Sequence, residues 1–438
     1  MKLMIDDFPL ADEDHMAPLP VRRRATPRLL WVAALLIFVA AAVVRIYPSA
    51  GFTGVGFDES LYREYVIKLD AVGLGGFPEI CQLYLEDQRR PETITKLPPT
   101  RFLYVFTSWM WKRAAFGDAP PRQPRTPGFT DHDPALVSLH RVACLFSILG
   151  VAAAGLAAWR MFGMGMMLGV LALTGFSPVA IHMGQHALID GFLAFWATMC
   201  VWMLWENLRH PDHAGRLTAL AVCLAAMVLT KENSFFVYVA LAGLVVVNRW
   251  AHFGQVTPRL VAVGIAGPAI GVLVLVSLAG GVGQFTGIYQ LLVSKAQTLT
   301  YAVKTGDGPW HRYLVDMLIV SPAVLILAIG GAFTQLRKDR NTLFLGLFVA
   351  FTYVVMCNVK YAMNLRYASI WELPICVLAV AQIHDLTRRC GERRTLATVI
   401  IVAALCAYGL RQYLIFFSDF GLYELVSEGL LRAVKILK

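Results

Sequence analysis

About eleven apolar runs separated by short polar breaks constrain this chain more than any other feature, covering residues 29–47, 135–158, 164–181, 191–205, 217–229, 234–247, 260–278, 314–333, 342–357, 370–384 and 396–410. Backbone buried in hydrocarbon must satisfy its own hydrogen bonds, so runs of this length and number can only be helices. Of the 438 residues, 57% are hydrophobic and 16% charged, outside the ordinary soluble range. The expected fold class is all-α, a polytopic membrane protein in one domain. Several runs are short for a core about 30 Å thick, which predicts helices that end early beside a cavity.

Lys and Arg orient the chain. With the N-terminus inside, Arg22, Arg23, Arg24 and Arg28 are cytoplasmic, and the short inner connections carry Arg160, Arg209 with Arg216, Arg249 with Arg259, Arg337 with Lys338 and Arg340, and Arg388, Arg389, Arg393 and Arg394. The net charge of +10 is therefore a topological signature and gives no reason to invoke nucleic acid. The division is a cytoplasmic tail at 1–28, a transmembrane domain at 29–410 and a short outer-face tail at 411–438. The outer segments are 48–134, 182–190, 280–312, 358–369 and the corner 230–233.

In the first outer loop, Leu61, Tyr62, Tyr65, Val66 and Leu69 recur at helical spacing, predicting an amphipathic juxtamembrane helix. A second such helix is expected at 98–116, because counting it as a span would move every later basic cluster outside. The stretch 120–127 is Pro-rich and reads as a linker. The first apolar run reads as a retained anchor, and the eight cysteines imply no disulfide framework.

Adjacent carboxylates at Asp58 and Glu59 open that outer loop, where a membrane enzyme would keep a general base. The plainer readings are an N-cap for Asp58 and a first-turn acid for Glu59. Asp190 lies at the mouth of a span, where an ionisable group defaults to a functional role. His182, His186 and Asp190 are spaced i, i+4, i+8, which on one helix would align them as metal ligands can be; hydrogen bonding or capping outweighs that reading. Asp131-His132-Asp133 reads as a turn before Pro134. Lys96, Arg101, Arg141, Lys231, Lys360 and Arg366 are cations expected near the outer face. Each alone reads as a snorkelling side chain, but together they supply the charge that a polyprenyl phosphate head group needs.

The order of Asp58-Glu59, Lys96-Leu97-Pro98-Pro99, Arg141, Ser177-Pro178 with Asp190, Leu229-Thr230-Lys231, Pro309-Trp310-His311-Arg312-Tyr313 and Leu365-Arg366-Tyr367 resembles the C-type glycosyltransferases. The nearest group is that of the protein O-mannosyltransferases and the lipid A aminoarabinose transferase, and the likeness spans residues 29–374. It implies an inverting transfer of a sugar from a polyprenyl-phosphate carrier to an acceptor hydroxyl on a lipid, glycan or protein, at the outer face of a bacterial inner membrane. Asp58 would be the base and Glu59 its neighbour in the catalytic set, with Asp190 positioning a reactant. Lys96 and Arg366 would neutralise the lipid phosphate, helped by Arg141, Lys231 and Lys360. Tyr62, His182, His186, His311, Tyr313 and Tyr367 would contact substrate, and the resemblance implies no metal and no cofactor. Lys96 stands one residue further from its prolines than the pattern has it, and His182 and His186 are additions to it. The rival reading is a transporter or lipid flippase, which should show internal repeats with broken helices at the midplane. No clear repeat is visible.

Overall fold

Apolar chain without access to water must pair its own backbone, and among the described residues every regular element is helical. The computed structural model describes residues 28–47, 55–90, 93, 95–122, 133–298, 308–359 and 363–437. Helix α1, Arg28–Ile46, turns Leu29, Leu35, Leu36 and Val39 outward and buries Ala34 and Ala41. Large apolar side chains facing out and small ones facing in are what a lipid-facing helix requires.

The first loop predicted to lie outside carries α2, Phe57–Val72, α3, Phe77–Gln88, and α4, Phe102–Phe116. The expected amphipathic face is present, with Leu61, Tyr62, Tyr65, Val66 and Leu69 buried. Helix α4 has 15 residues, a rise of about 22 Å, too short to cross the core. It packs on α2 and on the long α5, Pro134–Phe162, which Asp133 caps through its side chain. Asp133 also takes Arg63 at 2.8 Å, so this part of the 131–133 triplet is a cap and ion pair; residues 131 and 132 lie outside the described residues.

The apolar run at 164–181 is two helices, α6, Met164–Gly175, and α7, Pro178–Gln185, bent by 57°. Pro178 cannot donate, and Ser177 caps α7 by accepting from Ala180 N. The carbonyls freed at the end of α6 are taken by one buried side chain. Arg45 of α1 donates to Gly175 O at 2.7 Å and Thr174 O at 3.1 Å, and its Nε donates to Ser147 Oγ at 2.8 Å. His186 then runs extended before α8, Ile189–Arg209.

Beyond α8 come α9, Ala214–Thr230, α10, Ser234–Ala251, α11, Pro258–Ala279, and α12, Val282–Thr298. Next are α13, Arg312–Val320, α14, Pro322–Gln335, and α15, Arg340–Asn358. A 3-10 turn, Leu365–Trp371, leads into α16, Glu372–Thr387, followed by α17, Arg394–Tyr413, a π-turn at Leu414–Asp419 and α18, Ser427–Ala433. Each predicted apolar run falls on helix, but by length and composition six helical stretches among the described residues can cross a membrane, or seven with the bent pair as one. The excess of the eleven runs over seven comes from the shorter apolar helices α9 and α14, from α8, which is not among the counted stretches, and from the merging of α16 and α17 into one stretch.

The helices have two chemically different ends. From Asp190 to Glu206, α8 rises about 24 Å. At the Glu206 end, Arg160 approaches to 2.7 Å and Arg216 to 3.4 Å, and Arg209 donates to Asn341 at 2.9 Å. Gln255 N donates to Leu208 O at 2.8 Å, and His384 packs on Gly165, so the basic connections predicted to lie inside gather at this end. Helices α2 to α4 and the carboxylates of Asp58, Glu59 and Asp190 gather at the other.

Candidate active site

Glycine opens α2 for a steric reason. A Cβ on Gly56 would stand 2.1 Å from the Tyr423 ring, so only glycine admits the C-terminal segment against this turn. Glu59, third in the helix, accepts from Gly56 N at 2.7 Å. Gly56 is therefore the N-cap, and the expectation of Asp58 as cap is corrected; Asp58 sits in the first turn with its carboxylate directed elsewhere.

Glu59 is buried and serves as a joint. Its second oxygen accepts from Ala187 N at 2.7 Å and meets His186 Nδ1 at 2.9 Å and His140 Nε2 at 3.4 Å, tying α2 to the α7–α8 link and to α5. Burial alone would raise its pKa, but the His186 and His140 rings outweigh it and hold the carboxyl well below its ordinary value. His186 thus faces Glu59, and His182 Nε2 meets Tyr423 O at 3.0 Å with its ring stacked on Phe417. The chain breaks between α7 and α8, so His182, His186 and Asp190 do not share one helical face. Among the described residues no group of three or more His, Cys, Asp or Glu is arranged to hold a metal ion.

Asp58 belongs to a line of ion pairs drawn from four parts of the chain. Arg366 Nη1 donates to Asp58 Oδ2 at 3.1 Å, and Arg366 Nε faces Asp190 Oδ2 at 3.8 Å. Asp190 Oδ1 accepts from Lys231 Nζ at 2.6 Å. The Lys231 ammonium lies 4.3 Å from the centre of the Tyr367 ring, a cation–π contact. Asp190 and Lys231 side chains are each 2% exposed and Asp58 15%, so the line runs from the interior to an accessible carboxylate. Local sequence sets these positions: Asp190 opens α8, Lys231 ends α9, and Asn364 caps the 3-10 turn by accepting from Arg366 N at 3.1 Å. One turn past Asp58, Tyr62 accepts from Arg101 Nη1 at 2.8 Å, and Arg101 Nε donates to Glu232 at 3.1 Å.

The other sequence-derived candidates lie apart from this line. Lys96 pairs with Asp87 at 3.2 Å in a surface groove beside Tyr65 and Tyr84. Arg141 is exposed with its guanidinium 5.4 Å from the Phe116 ring. His311 is exposed at the start of α13 beside Trp310, and Tyr313 is buried against Trp371. Lys360 lies outside the described residues.

Sequence reasoning missed Tyr423 and Glu424. Glu424 Oε2 lies 3.4 Å from Arg366 Nη2 and accepts from Asn364 Nδ2 at 2.8 Å. The tail that carries them folds back onto the protein with Leu425, Leu430 and Ala433 buried, a return that no local pattern in the sequence marks.

No protein-family model and no curated protein matches the sequence. The backbone is similar to ArnT from Cupriavidus metallidurans in the apo state, with a TM-score of 0.51 at 17% identity over 85% of this chain and 64% of that one. It is also similar to the oligosaccharyltransferase of Archaeoglobus fulgidus in the apo form, with a TM-score of 0.57 at 10% identity over 89% of this chain and 56% of that one. AglB from the same organism, in complex with an inhibitory peptide and a dolichol-phosphate, gives 0.54 at 12% identity over 88% and 56%. The chain thus spans less than two thirds of each of these proteins.

Proposed function

We propose that this chain, whose fold is that of the polytopic C-type glycosyltransferases, transfers a sugar with inversion from a polyprenyl-phosphate carrier to an acceptor hydroxyl. The carrying observation is the junction of a partly exposed carboxylate, Asp58, with Arg366 and, through Asp190, with Lys231. Proton acceptance and phosphate stabilisation act on one small reacting centre, and the ion pairs bring these residues within reach of one another. The acceptor oxygen forms its bond to the anomeric carbon from the face opposite the phosphate, while Asp58 takes the hydroxyl proton. The bond from that carbon to the phosphate oxygen breaks, and the electron pair leaves with the lipid phosphate, whose charge Arg366 and Lys231 neutralise. Asp190 keeps both cations in place. The chemistry needs no metal or cofactor, because a monophosphate leaving group is served by protein cations.

Two further observations support a lipid-linked donor. The face of the 3-10 turn that carries Leu365, Ala368 and Ser369 lines an apolar cavity shared with Met317, Ile375 and Leu405. An isoprenoid tail gains burial along such a surface. One protein of similar fold was solved with a dolichol-phosphate. The proposed setting is the outer face of a bacterial inner membrane, opposite the basic connections.

Asp58→Asn tests the reading because it keeps shape and removes the base. Purified in detergent and given polyprenyl-phosphate sugars extracted from the producing cell, the variant should melt as the parent does and transfer sugar about 100-fold more slowly or worse. Transfer within a few-fold of the parent would reduce Asp58 to a structural acid.

A further inference from the structure

The C-terminal segment enters the site through a contact that the transfer step does not require. After the π-turn, Leu422 N donates to Phe416 O at 2.9 Å and Leu365 N donates to Leu425 O at 3.2 Å, so residues 420–425 lie across the 3-10 turn. This brings Tyr423 to 5.0 Å from the His186 ring and Glu424 to Arg366. The Tyr423 hydroxyl is buried and without a hydrogen-bond partner among the described residues.

Arg366 then faces three carboxylates, Asp58 at 3.1 Å, Glu424 at 3.4 Å and Asp190 at 3.8 Å, while Lys231 serves Asp190. Three carboxylates against two cations leave one negative charge in excess. A phosphate arriving at the same guanidinium meets that excess, and like charges in a poorly solvated site repel strongly. One carboxylate must withdraw or the phosphate binds poorly. Asp190 is fixed by Lys231, and Asp58 carries the base role. Glu424 is the most exposed of the three side chains, 22% against 15% and 2%. It also has a second partner, Asn364, that it keeps when Arg366 is taken away.

We propose that Glu424 is an internal anion that occupies Arg366 in the donor-free protein and yields it to the donor phosphate, so that the C-terminal segment sets donor affinity. This rests on the transferase reading given above.

The test uses the full chain in detergent, titrated with geranylgeranyl phosphate and, as the uncharged control with the same tail, geranylgeraniol. Glu424→Gln removes the charge and keeps the shape and the Asn364 contact. The variant should bind the phosphate about tenfold more tightly and the alcohol no differently. A merely structural role predicts weaker binding of both. Unchanged or weakened phosphate binding would overturn the proposal, as would equal tightening of both ligands, which reports a loosened cavity. If the parent protein binds neither ligand, the transferase reading itself fails, and the proposal with it.

Discussion

Lys231 and Asp190 are both removed from water, and each is the other's nearest counter-charge. Deleting one partner of such a pair strands the other and costs about 3–5 kcal/mol, whereas deleting both avoids that penalty. Lys231→Met should therefore lower the melting temperature in detergent sharply, and Lys231→Met with Asp190→Asn should recover part of the loss. Strictly additive losses would mean that the 2.6 Å contact carries no coupling. Asp190 stood out in the sequence as a carboxylate at the mouth of an apolar run, and Asp58 as one of two adjacent carboxylates in the loop after the first run. Lys96 was assigned from its place before two prolines, a local pattern that says nothing of its distance from Arg366; the acid it pairs with, Asp87, lies nine residues earlier on α3. Glu424 gave no such signal, since an acid in a short tail is ordinary until the tail is seen to return.

At the scale of elements, the runs were readable and their interruptions were not. Hydropathy over 164–181 is continuous, but Ser177-Pro178 starts a new helix there, with serine as cap and proline in the first turn. The break strands carbonyls at membrane depth, and Arg45, which reads in sequence as one more charge at a helix end, is buried to satisfy them. Arg45→Met should leave Thr174 O and Gly175 O without that donor, at about 1–3 kcal/mol for each stranded group. The expected readout is a lower melting temperature and a lower folded yield. Because α7 leads into His186, which holds Glu59, transfer activity should also fall in whatever protein remains folded. A variant that melts with the parent would show that water or another side chain serves those carbonyls.

The whole molecule separates charge by position along the helix axes, and its basic side was readable from sequence, since every short connection predicted to lie inside carries Lys or Arg. The folded chain gathers basic connections around Glu206 and the carboxylates of Asp58, Asp190 and Glu424 around Arg366. Which face is which can be tested with one native and one introduced thiol. Cys390 is free and exposed in the connection between α16 and α17, next to Arg388 and Arg389. Asp118, with its side chain 90% exposed after α4, belongs to the loop that carries Asp58. In sealed cells an impermeant maleimide should label Asp118→Cys and spare Cys390, and opening the cells should expose Cys390. The reverse pattern would place the candidate site on the cytoplasmic side, where the proposed donor would have to be presented from the other leaflet. Equal labelling of both thiols in intact cells would remove the two-ended arrangement on which the assignment of an outer face depends.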